Sequence, residues 1–151
     1  MKKIEFHFEK PEENTGYLLW QTTMIWQRKM NRLLNKIDLT HTQFVILASL
    51  GWLSQNQNGI SQKDIADNSK TDRMMVSKIL RTLQKKEYVI RQENEKDTRS
   101  KLVFLTEKGI IKLQEALKQV EITDNKFFSK IEKDKHFNDS LSKLISSNLE
   151  L

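Results

Sequence analysis

The 151-residue chain contains no cysteine. Disulfide staples, thiol-based redox sensing, cysteine nucleophiles and cysteine-rich zinc sites are therefore excluded. One proline and four glycines leave long stretches without the residues that most often interrupt a helix. No apolar run approaches the roughly 20 residues a membrane span needs. The first eight residues carry two lysines but lack the apolar core of a signal peptide, so a cytoplasmic address is expected. The three histidines, His7, His41 and His136, lie far apart without paired spacing, and no metal site is expected from them. No glycine-rich phosphate loop or activated nucleophile is present, and the carboxylates are scattered. The chain reads as neither an enzyme nor a cofactor binder.

What is present is charge of both signs with a basic balance: 26 Lys plus Arg against 20 Asp plus Glu, a formal net charge of +6. A basic domain attracts polyanions, nucleic acid being the commonest. Ile4, Phe6 and Phe8 alternate with Glu5, His7 and Glu9 up to Pro11, which reads as a strand, as a short arm packing on a neighbour, or as a disordered segment. From Thr15 to Ile37, Leu19, Trp26, Met30, Leu33 and Ile37 recur at helical steps, and Tyr17, Trp20, Met24 and Leu34 widen the stripe. A helix apolar over so much of its circumference predicts a second buried surface, such as a partner subunit.

Thr40 with Gln43 forms a capping box that starts a helix with Phe44, Ile46, Leu47 and Leu50 facing the core. Ser54–Gly59 reads as a loop. Ser61 with Asp64 starts a short helix carrying Ile65 and Ala66. After a break at Asp67–Lys70, Thr71 or Asp72 caps another, with Met75, Val76, Ile79, Leu80 and Leu83 on its apolar side. Two short helices joined by a few polar residues, the second basic on its outer face, make a helix-turn-helix.

Tyr88–Arg91 and Lys101–Leu105 are β-prone and flank the charged segment 92–100, which predicts a hairpin with a mobile polar tip. Thr106 caps a long helix with Ile110, Leu113, Leu117, Val120, Phe127 and Ile131 at heptad-like spacing. Asp124 interrupts this seam, either fixing dimer register or facing solvent. A last helix carries Phe137, Leu141, Leu144, Ile145 and Leu149. The expected fold is mainly α with a small β-hairpin wing, one domain over 1–151. Its DNA-binding core spans about 39–106, and dimerisation helices span about 12–38 and 107–151.

Asp97-Thr98-Arg99-Ser100-Lys101-Leu102-Val103-Phe104-Leu105-Thr106-Glu107-Lys108-Gly109 matches the pattern D-x-R-x-x-x-V-x-L-T-x-x-G at every specified position. With Leu39-Thr40, Gln43-Phe44 and Leu47, and with Val76-Ser77-Lys78, Leu80 and Leu83, this segment resembles the MarR-type family of winged-helix regulators along nearly the whole chain. Members commonly have Gly after the recognition helix, where this chain has Lys86-Glu87-Tyr88. The resemblance implies a homodimeric regulator, usually a repressor, that binds a palindromic double-stranded DNA operator. Many members release DNA when a small aromatic or phenolic effector binds near the junction between the dimer and DNA-binding parts.

On that reading the exposed face of the recognition helix offers Lys70, Thr71, Arg73, Met74, Ser77, Lys78 and Arg81. Arg73 and Met74 would read bases, Arg through guanine edges and Met through the thymine methyl. Ser69, Thr71, Ser77 and Lys78 would hold phosphates. In the wing, Asp97 would orient Arg99, which reaches toward the minor groove, and Arg91 and Lys96 would offset the acidic residues nearby. The plainer reading makes Arg73, Lys78 and Arg81 solvated helix surface and the Asp97/Arg99 pair a hairpin stabiliser. Trp20, Met24, His41 and Trp52 are either an effector cleft or core and interface residues. The competing function is a winged-helix module that binds protein or RNA.

Overall fold

The computed structural model describes residues 1–131 and 134–149. Residues 1–10 form neither helix nor strand, and a single 3-10 turn follows at Pro11–Glu13. The Ile4/Phe6/Phe8 alternation therefore makes no strand; the Phe6 and Phe8 rings pack on each other at 5.4 Å. Asn14 then accepts a hydrogen bond from the Tyr17 amide at 2.7 Å and starts α1 (Thr15–Leu34), which ends in a 3-10 turn at Asn35–Ile37.

Both capping boxes form with both of their hydrogen bonds. Thr40 and Gln43 start α2 (His41–Leu53); Ser61 and Asp64 start α3 (Gln62–Ser69). Just before α3, Ile60–Ser61 forms a two-residue strand, β1, too short to be read from a hydrophobic pattern. Asp72 caps α4 (Arg73–Lys85), accepting from the Met74 and Met75 amides. The break between α3 and α4 is shorter than expected. Asp67–Ser69 are helical, and the chain turns at Lys70.

The hairpin is β2 (Val89–Asn94) and β3 (Asp97–Leu105), with Glu95 and Lys96 as the turn; it pairs regularly from Val89/Leu105 to Glu93/Lys101, then shifts register so that Asn94 pairs with Asp97. The expected tip over residues 92–100 is thus corrected in part: Gln92, Glu93, Asn94 and Asp97 join the ladder, while residues 98–100 lie in its register shift. Backbone pairing needs no apolar side chains, so a solvated ribbon leaves little trace in the sequence. The sheet order is β1-β3-β2, antiparallel throughout.

α5 (Glu107–Phe127) and α6 (Lys135–Ser147) complete the chain. Ile131 and Leu149 fall beyond these helices rather than within them. One core joins Met30 and Leu34 of α1, Leu39, most of α2's apolar residues, Ile65, Val76, Leu80, Leu83, Val103, Leu113, Ala116 and Val120. Met75, assigned to the apolar side of α4, is instead half exposed. Its neighbour Val76 takes the inward position.

Glu87 explains how the recognition helix ends without glycine. It adopts φ 64°, its amide bonds to the Gln84 carbonyl at 2.9 Å, and the Tyr88 amide reaches back to Leu83 at 2.9 Å. This is a Schellman closure with a side chain in the position glycine favours. The left-handed conformation costs a non-glycine residue about 1 kcal/mol. The only visible return is an exposed ion pair to Lys108 at 3.1 Å, worth little. Glu87→Gly is therefore expected to stabilise the fold by about 0.5–1 kcal/mol, read as a higher Tm at equal protein concentration.

Candidate nucleic-acid interface

α4 is strongly two-sided. Val76, Leu80 and Leu83 are fully buried, and on the opposite side Arg73, Met74, Lys78 and Arg81 stand in solvent. Ser77 lies between them, half-buried, and Arg81 Nε donates to its carbonyl at 3.5 Å. Met74 is 81% exposed. Thr71 is half-buried and Lys70 exposed at the left-handed turn before the helix. Ser69 is engaged internally, donating to the Ile65 carbonyl at 2.7 Å.

Beside this face stands the wing. Arg99 and Lys96 are exposed near its end. Asp97 does orient residue 99, but through the main chain: its carboxylate accepts from the Arg99 amide at 3.0 Å. The guanidinium is left unclaimed by Asp97. Arg91 lies at the base of the hairpin instead, where its Nε donates to Gln84 of α4 at 2.7 Å, tying wing to helix.

A cleft of about 350 Å³ between the first turn of α3, the start of α4 and the wing draws Lys63, Arg73, Arg99 and Lys101 around one space, with Asp97 the only carboxylate among its lining residues. Lys63 and Lys101 were not picked out from the sequence. The two-residue alternation Asp97, Arg99, Lys101 along β3 is the signal that would have found Lys101. Lys63 needed the tertiary placement of α3. Gln62 also lines this cleft, and its Oε1 is the one buried side-chain oxygen without a partner among the described residues.

Trp20, Met24, His41 and Trp52 do not gather around one cleft within a protomer. Trp20 is 62% exposed on the first half of α1, Met24 is half-buried, and His41 and Trp52 sit near opposite ends of α2. Only Trp52 of the four lines the large apolar groove of about 790 Å³ between α2 and α5, with Phe44, Ala48, Leu105, Ile110 and Leu117. Ile110 and Leu117 are half exposed there rather than sealed in the core.

His41 belongs to a different cluster. Its ring meets Trp26 edge-on at 4.7 Å and lies parallel to Phe44 at 6.5 Å, and its amide donates to Asn31. Trp26 Nε1 in turn donates to Asp124 at 2.8 Å. Asp124 thus does not simply face solvent; it ties α5 to α1. Burial pushes the His41 pKa below its usual 6.5, and the Asp124 carboxylate opposes this only in part. The unfolded chain therefore takes up the proton more readily than the folded one. Stability from this group is complete above pH 6.5 and falls as the pH drops below it. Denaturant titrations from pH 7.5 to 5 are expected to show this decline, and His41→Gln to lessen its slope.

No described helix is long and apolar enough to cross a membrane. The MarR family model matches residues 39–101. The chain is 41% identical over 144 residues to an uncharacterized HTH-type transcriptional regulator, YdcH of Bacillus subtilis (strain 168), covering 94% of this chain and 98% of YdcH. The fold resembles MepR of S. aureus in complex with DNA, with a TM-score of 0.79, 26% identity, and coverage of 89% of this chain and 98% of MepR. It also resembles CouR of Rhodococcus jostii RHA1 bound to p-coumaroyl-CoA, with a TM-score of 0.77, 20% identity, and coverage of 92% and 94%. On the sequence relationship and the family match together, this chain belongs to the MarR family of helix-turn-helix transcriptional regulators.

Proposed function

We propose that the chain works in the cytoplasm as a homodimeric repressor that binds a palindromic duplex operator and leaves it when a small aromatic or phenolic effector binds. The observation that carries the DNA reading is the outward face of α4, where Arg73, Met74, Lys78 and Arg81 stand opposite a fully buried seam. An α-helix of this kind fits the major groove. Arg73 and Met74 read base edges from its first turn, and Ser77 and Lys78 hold phosphates with Thr71. Arg99 and Lys96 follow the neighbouring minor groove. Lys63 and Lys101 add positive potential where helix and wing meet.

Dimerisation is supported by the apolar residues that one protomer leaves in water. Tyr17, Leu19, Trp20 and Ile25 of α1, Ile122 of α5, and Leu144 and Ile145 of α6 are each more than two-fifths exposed. A second copy covers them and sets the spacing of the two recognition helices at about 34 Å, one turn of DNA. The groove beside Trp52 lies where α5, a dimer helix, meets α2 of the DNA-binding part. An effector wedged there favours a spacing that no longer fits the operator. The aromatic thioester in the CouR complex is consistent with that ligand class.

The test is a salt titration of binding to the duplex upstream of the chain's own gene, with a scrambled duplex and an RNA of equal length as controls. Preference for the upstream duplex at one dimer per site, with a log–log slope near −0.9 for each phosphate neutralised, is the expected result. Equal affinity for all three, or none at low salt, overturns the reading.

A further inference from the structure

The chain has five methionines and no cysteine, so methionine is its only sulfur. Those sulfurs are unevenly placed. Met30 is completely buried and Met24 half-buried. Apart from the terminal Met1, the exposed ones are Met74 and Met75, 81% and 48% exposed and adjacent on the first turn of α4. Both line a groove of about 530 Å³ that opens between α4 and the start of α2, alongside Lys78, Arg81 and Thr42. The two accessible internal sulfurs therefore stand on the same face as the cations proposed above to meet DNA.

We propose that Met74 and Met75 are a reversible oxidation site through which a two-electron oxidant, hydrogen peroxide or hypochlorous acid, weakens DNA binding. The inference rests on the DNA-binding role of this face. In the peroxide reaction a thioether lone pair attacks one peroxide oxygen. A sulfur–oxygen bond forms, the oxygen–oxygen bond breaks, and the other oxygen leaves as water after taking up a proton. Sulfur is oxidised by two electrons and peroxide is reduced by two. No thiol in the chain competes for the oxidant.

The product exchanges a flexible apolar side chain for a polar one with a strong acceptor oxygen. Such a group loses its apolar contact with a thymine methyl and sets a partial negative charge beside the phosphates. The fold should be indifferent, because neither sulfur is part of the core. Two sulfurs per protomer make four per dimer, so the effect on the complex is compounded. Reduction of the sulfoxides by a thiol-dependent methionine sulfoxide reductase reverses it.

The experiment treats the full-length dimer with limiting hydrogen peroxide or hypochlorite, maps added oxygen by peptide mass, and measures affinity for the upstream duplex and the melting temperature. Oxygen is expected on Met74 and Met75 before Met24 and Met30. Affinity should fall about tenfold or more at unchanged melting temperature and return after reductase treatment. A Met74→Leu/Met75→Leu chain, whatever its own affinity, should show the same affinity before and after oxidant. An untreated protein that binds the duplex and keeps its affinity with both sulfurs oxidised overturns this inference alone. Failure of reductase to restore binding, or equal oxidant sensitivity of the double variant, also overturns it. An untreated protein that ignores the duplex overturns the DNA reading and this inference with it.

Discussion

A Gly109→Ala chain is expected to lose about 3 kcal/mol or more of folding stability, near the top of the range for overpacking, and to melt some 6–12 °C lower. A Cβ at position 109 would lie 2.0 Å from the Tyr88 carbonyl oxygen and 2.9 Å from its carbon. These are backbone atoms, so no rotamer change relieves the clash. The same oxygen accepts the Thr106 amide at 3.1 Å, and Thr106 Oγ1 accepts from Gly109 itself while capping α5. Pushing Tyr88 away therefore strains the first turn of α5 and the start of β2 together. Thermal melting at fixed dimer concentration measures the loss. A change under about 1 kcal/mol would mean that α5 can shift, and that the glycine is not there for want of space.

The largest effect on DNA binding is expected from Arg73→Ala. A bidentate arginine–guanine contact is worth about 1–3 kcal/mol, and a symmetric dimer loses two. The sum, about 2–6 kcal/mol, weakens operator binding roughly thirty-fold or more. Discrimination against the scrambled duplex should narrow at the same time. Arg73 is exposed and makes no side-chain hydrogen bond among the described residues, so stability should hold within about 0.5 kcal/mol. Lys78→Ala is the contrasting case. A phosphate contact carries no sequence information, so affinity falls on both duplexes and the salt slope becomes shallower. Arg73→Ala behaving like Lys78→Ala would assign Arg73 to the backbone instead.

The helix starts were legible because local chemistry fixed them. Thr40 with Gln43, Ser61 with Asp64, and Asp72 each satisfy helix-end amides within three residues, and all form as the sequence suggests. The buried seam of α4 follows from its spacing, apart from Met75. Contacts that depend on distant chain did not announce themselves. Trp26 and Asp124 are 98 residues apart, and an aspartate in a heptad seam carries no mark of the indole that will claim it. Trp20, Met24, His41 and Trp52 are likewise spread over α1 and α2 within one protomer, because apolar character says nothing of which face of a helix meets which neighbour. The β-prone segments 88–91 and 101–105 announced the hairpin, while the extent of its pairing had to come from the fold, since residues 92–100 have charge but little apolar periodicity.

β1 has a consequence for cooperativity out of proportion to its two residues. Ile60 and Ser61 pair with Val103 and Leu102, and Ser61 also caps α3. The chain that leaves β1 runs through both helices and β2 and around the hairpin turn before β3 returns to pair with β1. One closed loop thus contains the recognition element whole, and its closure entropy is charged once for all the parts inside. Opening the strand pair frees both ends of that loop in a single event. The helix pair and hairpin are therefore expected to melt as one unit, and hydrogen exchange of their slowest amides should report a common free energy.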